Sequence, residues 1–170
     1  PNFNKGFRKN PNCIKCGNTI FCMPVYEECI WCYELTVGGF QKIMIKNPNH
    51  VSIMIHNFWK CGDVLWAVSI GLNQIIEINI KEKTVIGYYN ITNQQETIAE
   101  SIKTGDYIYI LSALRGRIYE FNIETKEMKE NELSMIHSGL RTLTECGGKF
   151  WLSGRKKEIY IWEKEKNNFK

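Results

Sequence analysis

Short runs of apolar residues recur along the chain, and each follows a turn that contains glycine. The runs cover residues 19–23, 64–69, 107–112 and 149–153. Each comes directly after one of the tripeptides Cys16-Gly17-Asn18, Cys61-Gly62-Asp63, Thr104-Gly105-Asp106 and Cys146-Gly147-Gly148. An apolar run of this length bounded by turn residues is typical of a strand covered on both faces. The glycines are 45, 43 and 42 residues apart, which indicates a small sheet repeated in tandem.

A second mark accompanies the glycine turns. Glu34, Glu77 and Glu120 are each 43 residues from the next and lie in stretches that alternate between apolar and polar residues. The fourth copy, 159–162, has no such glutamate. Two marks with nearly one spacing predict that these residues hold equivalent positions in successive copies.

Each copy is predicted to hold four short strands, A to D. In the second copy they are 52–58, 64–69, 75–80 and 84–89, with Gly62 in the hairpin between A and B, where glycine accepts a positive φ. The four copies occupy about residues 7–45, 51–91, 97–133 and 138–170. The fourth copy is predicted to lack strand D, and the short repeat leaves no room for a long helix.

The B strands require a neighbouring sheet, because one four-stranded sheet covers only one of their faces. With this repeat and the motif aromatic-Glu-apolar-Asn, the chain resembles the β-propeller repeat superfamily over roughly residues 7–162. The resemblance implies an all-β protein, a propeller segment of four four-stranded antiparallel blades within residues 1–170, as part of a larger ring. A self-closed four-bladed ring is the alternative. The dipeptides of WD40 repeats are absent. Gly147-Gly148 precedes strand B, whereas the double glycine of a kelch repeat follows strand B.

Composition is that of an ordinary soluble domain, with 170 residues, 44% hydrophobic and 24% charged. No apolar run approaches the roughly 18 residues that a membrane span needs. The net charge of +4 arises from lysines interleaved with glutamates, as in 81–83 and 163–166. Mixed charges of this kind favour solvated strand edges and turns over a phosphate-binding stripe, so neither a membrane nor a nucleic acid is the predicted partner.

The N-terminal part of the chain is rich in cysteine, and its cysteines allow three interpretations. Cys13, Cys16, Cys29 and Cys32 form two Cys-x-x-Cys pairs with the spacing of a zinc ribbon. However, Cys16 has the repeat position of Cys61 and Cys146, which predicts small, buried, reduced thiols, no cofactor and a cytoplasmic protein. Disulfides are the third possibility.

Two further sets of residues recur along the chain. Phe21, Trp66, Tyr109 and Trp151 share one position in strand B and are predicted to fill the space between neighbouring blades. Ser69, Ser112 and Ser153 recur at the end of strand B. A hydroxyl that recurs in three of the four copies is better suited to bonding the backbone at a strand end than to acting as a nucleophile, which a site needs only once.

The resemblance also implies a ligand-binding face, formed by the D to A and B to C loops. The candidate residues on that face are His50, Arg115, Arg117, His137, Arg155 and, early in an innermost strand, Arg141. Arginine presents a planar fork of donors that suits carboxylate, phosphate or acidic protein partners. Solvated turn residues are the alternative interpretation of these positions.

The predicted function is a non-enzymatic binding module that presents this loop face to a protein or other ligand. Further blades or a second copy are expected to complete the ring. One alternative is a propeller hydrolase or lyase that acts on a carbohydrate or anionic substrate through the histidines and arginines. The other is a zinc-ribbon nucleic-acid binder formed by residues 13–32.

Overall fold

The computed structural model describes residues 13–23, 27–47, 51, 53–94, 96–133, 139–154, 158–164 and 168–169. The chain divides into two compact units, Pro1–Asn90 and Ile91–Lys170. Each unit contains two four-stranded sheets, in which the strands lie side by side in chain order. All pairs of neighbouring strands are antiparallel. The predicted all-β fold of four four-stranded antiparallel blades is confirmed.

The first unit holds the first and second sheets. The strands of the first sheet are β1 (Cys13–Cys16), β2 (Thr19–Cys22), β3 (Cys29–Glu34) and β4 (Phe40–Met44). Those of the second sheet are β5 (Ile55–Cys61), β6 (Val64–Ser69), β7 (Gln74–Asn79) and β8 (Thr84–Asn90).

The second unit holds the third and fourth sheets. The strands of the third sheet are β9 (Ile98–Thr104), β10 (Tyr107–Ser112), β11 (Arg117–Asn122) and β12 (Met128–Glu132). Those of the fourth sheet are β13 (Leu140–Cys146), β14 (Lys149–Gly154), β15 (Ile159–Glu163) and β16 (Asn168–Phe169). The prediction that the fourth copy lacks strand D was wrong, because β16 pairs with the end of β15. Within the described ranges the structure contains no α-helix.

The glycine turns are two-residue hairpins, as predicted. In the second sheet Cys61 lies opposite Val64, so that Gly62 and Asp63 alone make the turn. The φ angle of Gly62 is 57°, a left-handed conformation that favours glycine, and its counterparts at 17, 105 and 147 lie between 55° and 62°. The predicted strand B of the second copy coincides with β6, whereas strand A was placed about three residues too early.

Each unit has its own apolar core between its two sheets. The core of the first unit includes Phe21, Ile30 and Ile43 from the first sheet and Leu65, Ala67 and Ile76 from the second. The core of the second unit includes Tyr109, Leu111 and Ile118 from the third sheet and Phe150, Leu152 and Trp162 from the fourth. Five of the six residues of β6 and of β10 are buried, which confirms the prediction that these strands are covered on both faces.

The glutamate repeat does not extend to the first sheet. Glu77 lies opposite Trp66 and Glu120 lies opposite Tyr109, so these two glutamates are equivalent. In the first sheet Cys32 takes that position opposite Phe21, and Glu34 lies opposite Thr19. The shift is two residues, which keeps Glu34 on the same face because side chains alternate along a strand.

Three side chains that were predicted to be buried are not. Trp151 is 36% exposed, whereas its neighbours Phe150 and Leu152 are buried. In β14, unlike β6 and β10, exposed and buried residues alternate over most of its length, so only one face is covered. The thiol of Cys16 is buried, but Cys61 is half-buried and Cys146 is exposed. Repeat position therefore does not by itself determine burial.

Candidate functional site

The segments that follow β6 and β10 form backbone hydrogen bonds with segments that enter the first strand of a sheet. In the second sheet the amide of Ile70, just after β6, donates to the carbonyl of Met54, just before β5, at 2.8 Å. In the second unit the amide of Ala113 donates to the carbonyl of Thr97 at 2.7 Å, and that of Gly139 donates to the carbonyl of Ala113 at 2.8 Å. The β10–β11 turn therefore lies beside the segments that enter β9 and β13.

A buried carboxylate anchors the β10–β11 turn. The Glu96 side chain is only 1% exposed and accepts the Ser112 hydroxyl at Oε2 (2.7 Å) and the Tyr119 hydroxyl at Oε1 (3.0 Å). Arg115 Nε lies 3.3 Å from Oε1. The Ser112 hydroxyl also accepts the amide of Arg115 at 3.1 Å. The turn is thus tied to Glu96 through both its backbone and its arginine.

The turn exposes a cation and an apolar side chain. Arg115 is 40% exposed at its side chain, although its Nε is held by Glu96. Leu114, directly before it, is 60% exposed. Burial raises the pKa of Tyr119, and donation of its hydroxyl to Glu96 favours the protonated form further. Tyr119 is therefore a donor that holds the carboxylate in place, not a base.

The other predicted binding residues have different surroundings. Arg117, the first residue of β11, forms an ion pair with Glu130 in which Nη1 and Oε1 are 3.0 Å apart. A hydrogen bond with Tyr119 and the charge of Glu130 raise the pKa of Arg117. Arg141 is exposed and lies where the register of β13 and β14 shifts. His50, His137 and Arg155 lie outside the described residues.

The recurrent serines bond the backbone in two of the three sheets where they were predicted. Ser69 Oγ accepts the amide of Leu72 at 3.3 Å, as Ser112 Oγ accepts that of Arg115. Ser153 differs, because its hydroxyl lies 2.6 Å from that of Thr142 on the neighbouring strand. The additional bond from Ser112 to Glu96 could not be predicted, since Glu96 lies in an irregular segment without repeat counterparts.

The two Cys-x-x-Cys pairs lie on different strands of the first sheet. Cys13 forms a disulfide with Cys22, its partner opposite on β2, whereas Cys29 and Cys32 lie on β3. Because β2 separates β1 from β3, the two Cys-x-x-Cys pairs lie on strands about 10 Å apart. No three His, Cys, Asp or Glu side chains of the described residues are grouped closely enough to hold a metal ion. The predicted absence of a cofactor stays a prediction, with zinc binding as its alternative.

The prediction of reduced thiols was wrong for Cys13 and Cys22, although the sequence contains a signal for their disulfide. In a hairpin with a two-residue turn at Gly17 and Asn18, Cys13 and Cys22 are equally far from the turn and must lie opposite each other. The remaining thiols of the first sheet are poorly ionised. Burial raises the pKa of Cys29 to about 11, helped by the Glu27 carboxylate, and that of Cys32 to about 12.

Comparisons with known proteins show the fold. No protein-family model matches the chain, and no curated protein matches it. The computationally designed Ika8 protein matches with a TM-score of 0.67 and 10% identity, over 93% of this chain and 47% of that one. BamB from Moraxella catarrhalis matches with a TM-score of 0.63 and 11% identity, over 89% and 43%. The designed Ika4 protein matches with a TM-score of 0.67 and 9% identity, over 93% of both chains.

The chain is therefore an all-β protein whose four antiparallel sheets are blades of the β-propeller type. It spans about half the length of Ika8 and of BamB. In the described part of the chain, no helix has the length and apolar character needed to cross a bilayer. The resemblance seen in the sequence is confirmed at the level of fold.

Proposed function

We propose that this protein is a non-enzymatic binding module that presents the β10–β11 turn to a protein partner. The observation that supports this most strongly is the anchoring of Arg115. Its Nε and backbone amide are held by Glu96 and Ser112, while two fifths of its side chain remains exposed. A guanidinium held in this way loses little conformational entropy when it binds, which favours affinity.

The chemistry of the turn favours an acidic partner segment with an apolar residue. Arg115 lies near Glu96 through its Nε, and a guanidinium carries five N–H donors, so its exposed edge can donate to a carboxylate. The exposed Leu114 side chain beside it supplies an apolar contact. Arg117 at the start of β11 and Arg141 near the start of β13 belong to the same unit as the turn, and their positive charge would attract the same partner. The binding roles of His50, His137 and Arg155 stay predictions.

The hydroxyl of Ser112 supports binding over catalysis at this turn. It donates to Glu96 and accepts from the Arg115 amide, so both of its bonds stabilise the turn. This use is consistent with a recurrent strand-end serine, since Ser69 makes the same bond to the backbone.

The test is selection of peptides from a random displayed library on the immobilised chain, followed by anisotropy titrations of the selected peptides. We expect acidic peptides with a hydrophobic residue, and a loss of affinity of about tenfold or more when Leu114 and Arg115 are replaced by Ser and Gln. Lys129→Gln is the matched control, because it removes one exposed cation from the third sheet away from the turn. Unchanged affinity in the Leu114/Arg115 variant, or selection of no peptide, would contradict the proposal.

A further inference from the structure

The first sheet has one face in the core of its unit and one face that is partly open to solvent. This outer face of the first sheet carries Trp31 and Tyr33 from β3 and Phe40 and Met44 from β4. The ring centroids of Trp31 and Phe40 are 5.4 Å apart, and those of Tyr33 and Phe40 are 4.8 Å apart. Phe40 is 45% exposed and Met44 is 65% exposed. Large apolar side chains clustered on an open sheet face indicate a contact surface.

The repeat shows which kind of contact this face makes. In the second sheet Leu65 lies opposite Ile78, and both belong to the same apolar core as Phe21 of the first sheet. The corresponding pair in the first sheet is Ile20 opposite Tyr33, which lies on the outer face. The outer face of the first sheet therefore corresponds to the face by which the second sheet packs on the sheet before it.

The fourth sheet has an outer face of the complementary kind. Tyr109 of the third sheet packs against Phe150 of the fourth, with ring centroids 4.4 Å apart. The position that corresponds to Tyr109 in the fourth sheet is Trp151, which is exposed together with Ile159, at 68%, on the same face. The outer face of the fourth sheet therefore corresponds to the face by which the third sheet packs on the sheet after it.

We propose that two copies of this chain associate head to tail, with the outer face of the fourth sheet of each copy packed on the outer face of the first sheet of the other. One chain carries both halves of a contact that it already makes inside each unit. In such a pair all four outer faces, two from each copy, are covered. An open series of copies would instead grow without limit.

The lengths of two of the three matched structures agree with a pair, whereas the third, Ika4, has the length of one copy. Ika8 and BamB are each about twice as long as the part that this chain matches, so two copies supply the length of one such chain. This self-association goes beyond the proposed function and does not depend on it, because the β10–β11 turn lies on neither outer face.

Sedimentation equilibrium between about 1 and 100 µM tests the proposal. The wild-type chain is expected to sediment with twice the monomer mass of 19.9 kDa. Trp151→Glu and Tyr33→Glu should each raise the dissociation constant by about 100-fold or more, because each change damages both contacts of the pair. Val37→Glu, at an exposed turn of the first sheet, is the matched control and should change nothing. Circular dichroism checks folding, and Trp151→Ser replaces the charged variant should that one unfold.

Mixing the two variants distinguishes this arrangement from others. The Trp151→Glu copy retains a normal first sheet and the Tyr33→Glu copy retains a normal fourth sheet, so their mixture should form a weaker, single-contact dimer that neither variant forms alone. A wild-type chain that remains monomeric at the highest concentration would overturn the proposal. The proposal would also be overturned if Tyr33→Glu lowered association and Trp151→Glu did not, because that result indicates pairing of two first sheets.

Discussion

Gly87 is the position where one added methyl group is expected to destabilise the first unit most directly. Glu77 is buried at the centre of the second sheet, and the Tyr89 hydroxyl donates to its Oε2 at 2.6 Å. Gly87 lies opposite Glu77 on β8. A Cβ atom at Gly87 would lie 2.7 Å from the Tyr89 hydroxyl oxygen, 2.9 Å from Tyr89 Cε2 and 2.9 Å from Glu77 Oε2. Gly87→Ala must therefore displace Tyr89.

The expected loss of stability in Gly87→Ala is the balance of three contributions to the free energy of unfolding. Loss of a hydrogen bond to a buried carboxylate costs about 1.5–3 kcal/mol. Crowding of a packed region costs about 1–3 kcal/mol. Replacing glycine in the unfolded chain returns only about 0.4–1 kcal/mol. We expect Gly87→Ala to lower the free energy of unfolding by about 2–4 kcal/mol, measured by urea denaturation followed by tryptophan fluorescence.

A double-mutant cycle with Tyr89→Phe tests the mechanism. Without the hydroxyl, the bond to Glu77 is already lost, so Gly87→Ala should cost at least about 1 kcal/mol less in the Tyr89→Phe background. Ile86→Ala, at an exposed neighbouring position of β8, is the control and should change stability by no more than about 0.5 kcal/mol. An unchanged or increased stability of Gly87→Ala, or an equal cost in both backgrounds, would refute the reasoning.

The same hydrogen bond has a pH signature. Burial and the Glu77 carboxylate raise the pKa of Tyr89 to about 12, above the value of about 10 for an unfolded tyrosine. The folded state therefore holds this proton more tightly, and the contribution is complete below about pH 10 and lost between about pH 10 and 12. Over that interval the free energy of unfolding should fall more steeply for the wild type than for Tyr89→Phe.

Three further predictions concern other parts of the chain. At pH 8 iodoacetamide should modify the exposed Cys146 rapidly and Cys32 hardly at all. The reason is that a buried thiol with a pKa of about 12 is only about one part in ten thousand ionised at this pH. Mass spectrometry of the protein after labelling in its native state is the measurement. Gly154→Ala should lower stability by about 2–4 kcal/mol, because its Cβ would lie 2.6 Å from the carbonyl oxygen of Gly139, which is backbone; urea unfolding is the measurement. Ser112→Ala should cost about 1–3 kcal/mol, since Glu96 loses a buried donor, and equal stability to wild type would contradict the anchoring role of this hydroxyl.

Local chemistry accounts for the elements that could be predicted. The bounds of β6 follow from an apolar run that begins directly after Gly62 and Asp63, because a two-residue hairpin sets where both strands start. The same reasoning locates β10 and β14 closely. Strand β16 was missed because a pair of residues, Asn168 and Phe169, carries no periodic pattern by itself; only pairing with β15 makes it a strand.

The candidate site was only partly visible in the sequence. Arg115 was placed in a turn from its neighbours, because Arg-Gly between two apolar runs is typical of a loop. Its anchor Glu96 was missed, since the donors that satisfy this carboxylate come from positions 16 to 23 residues away and meet it only after the sheet and its entering segment have folded.

The sequence by itself determined the repeat, the strand class and the hairpin turns, because these depend on residues near one another in the chain. The tertiary structure alone decided which faces are covered. Trp66 and Trp151 hold the same position in the repeat, yet Trp66 is buried and Trp151 is not. Burial depends on what packs against that face, and no pattern within one copy carries that information.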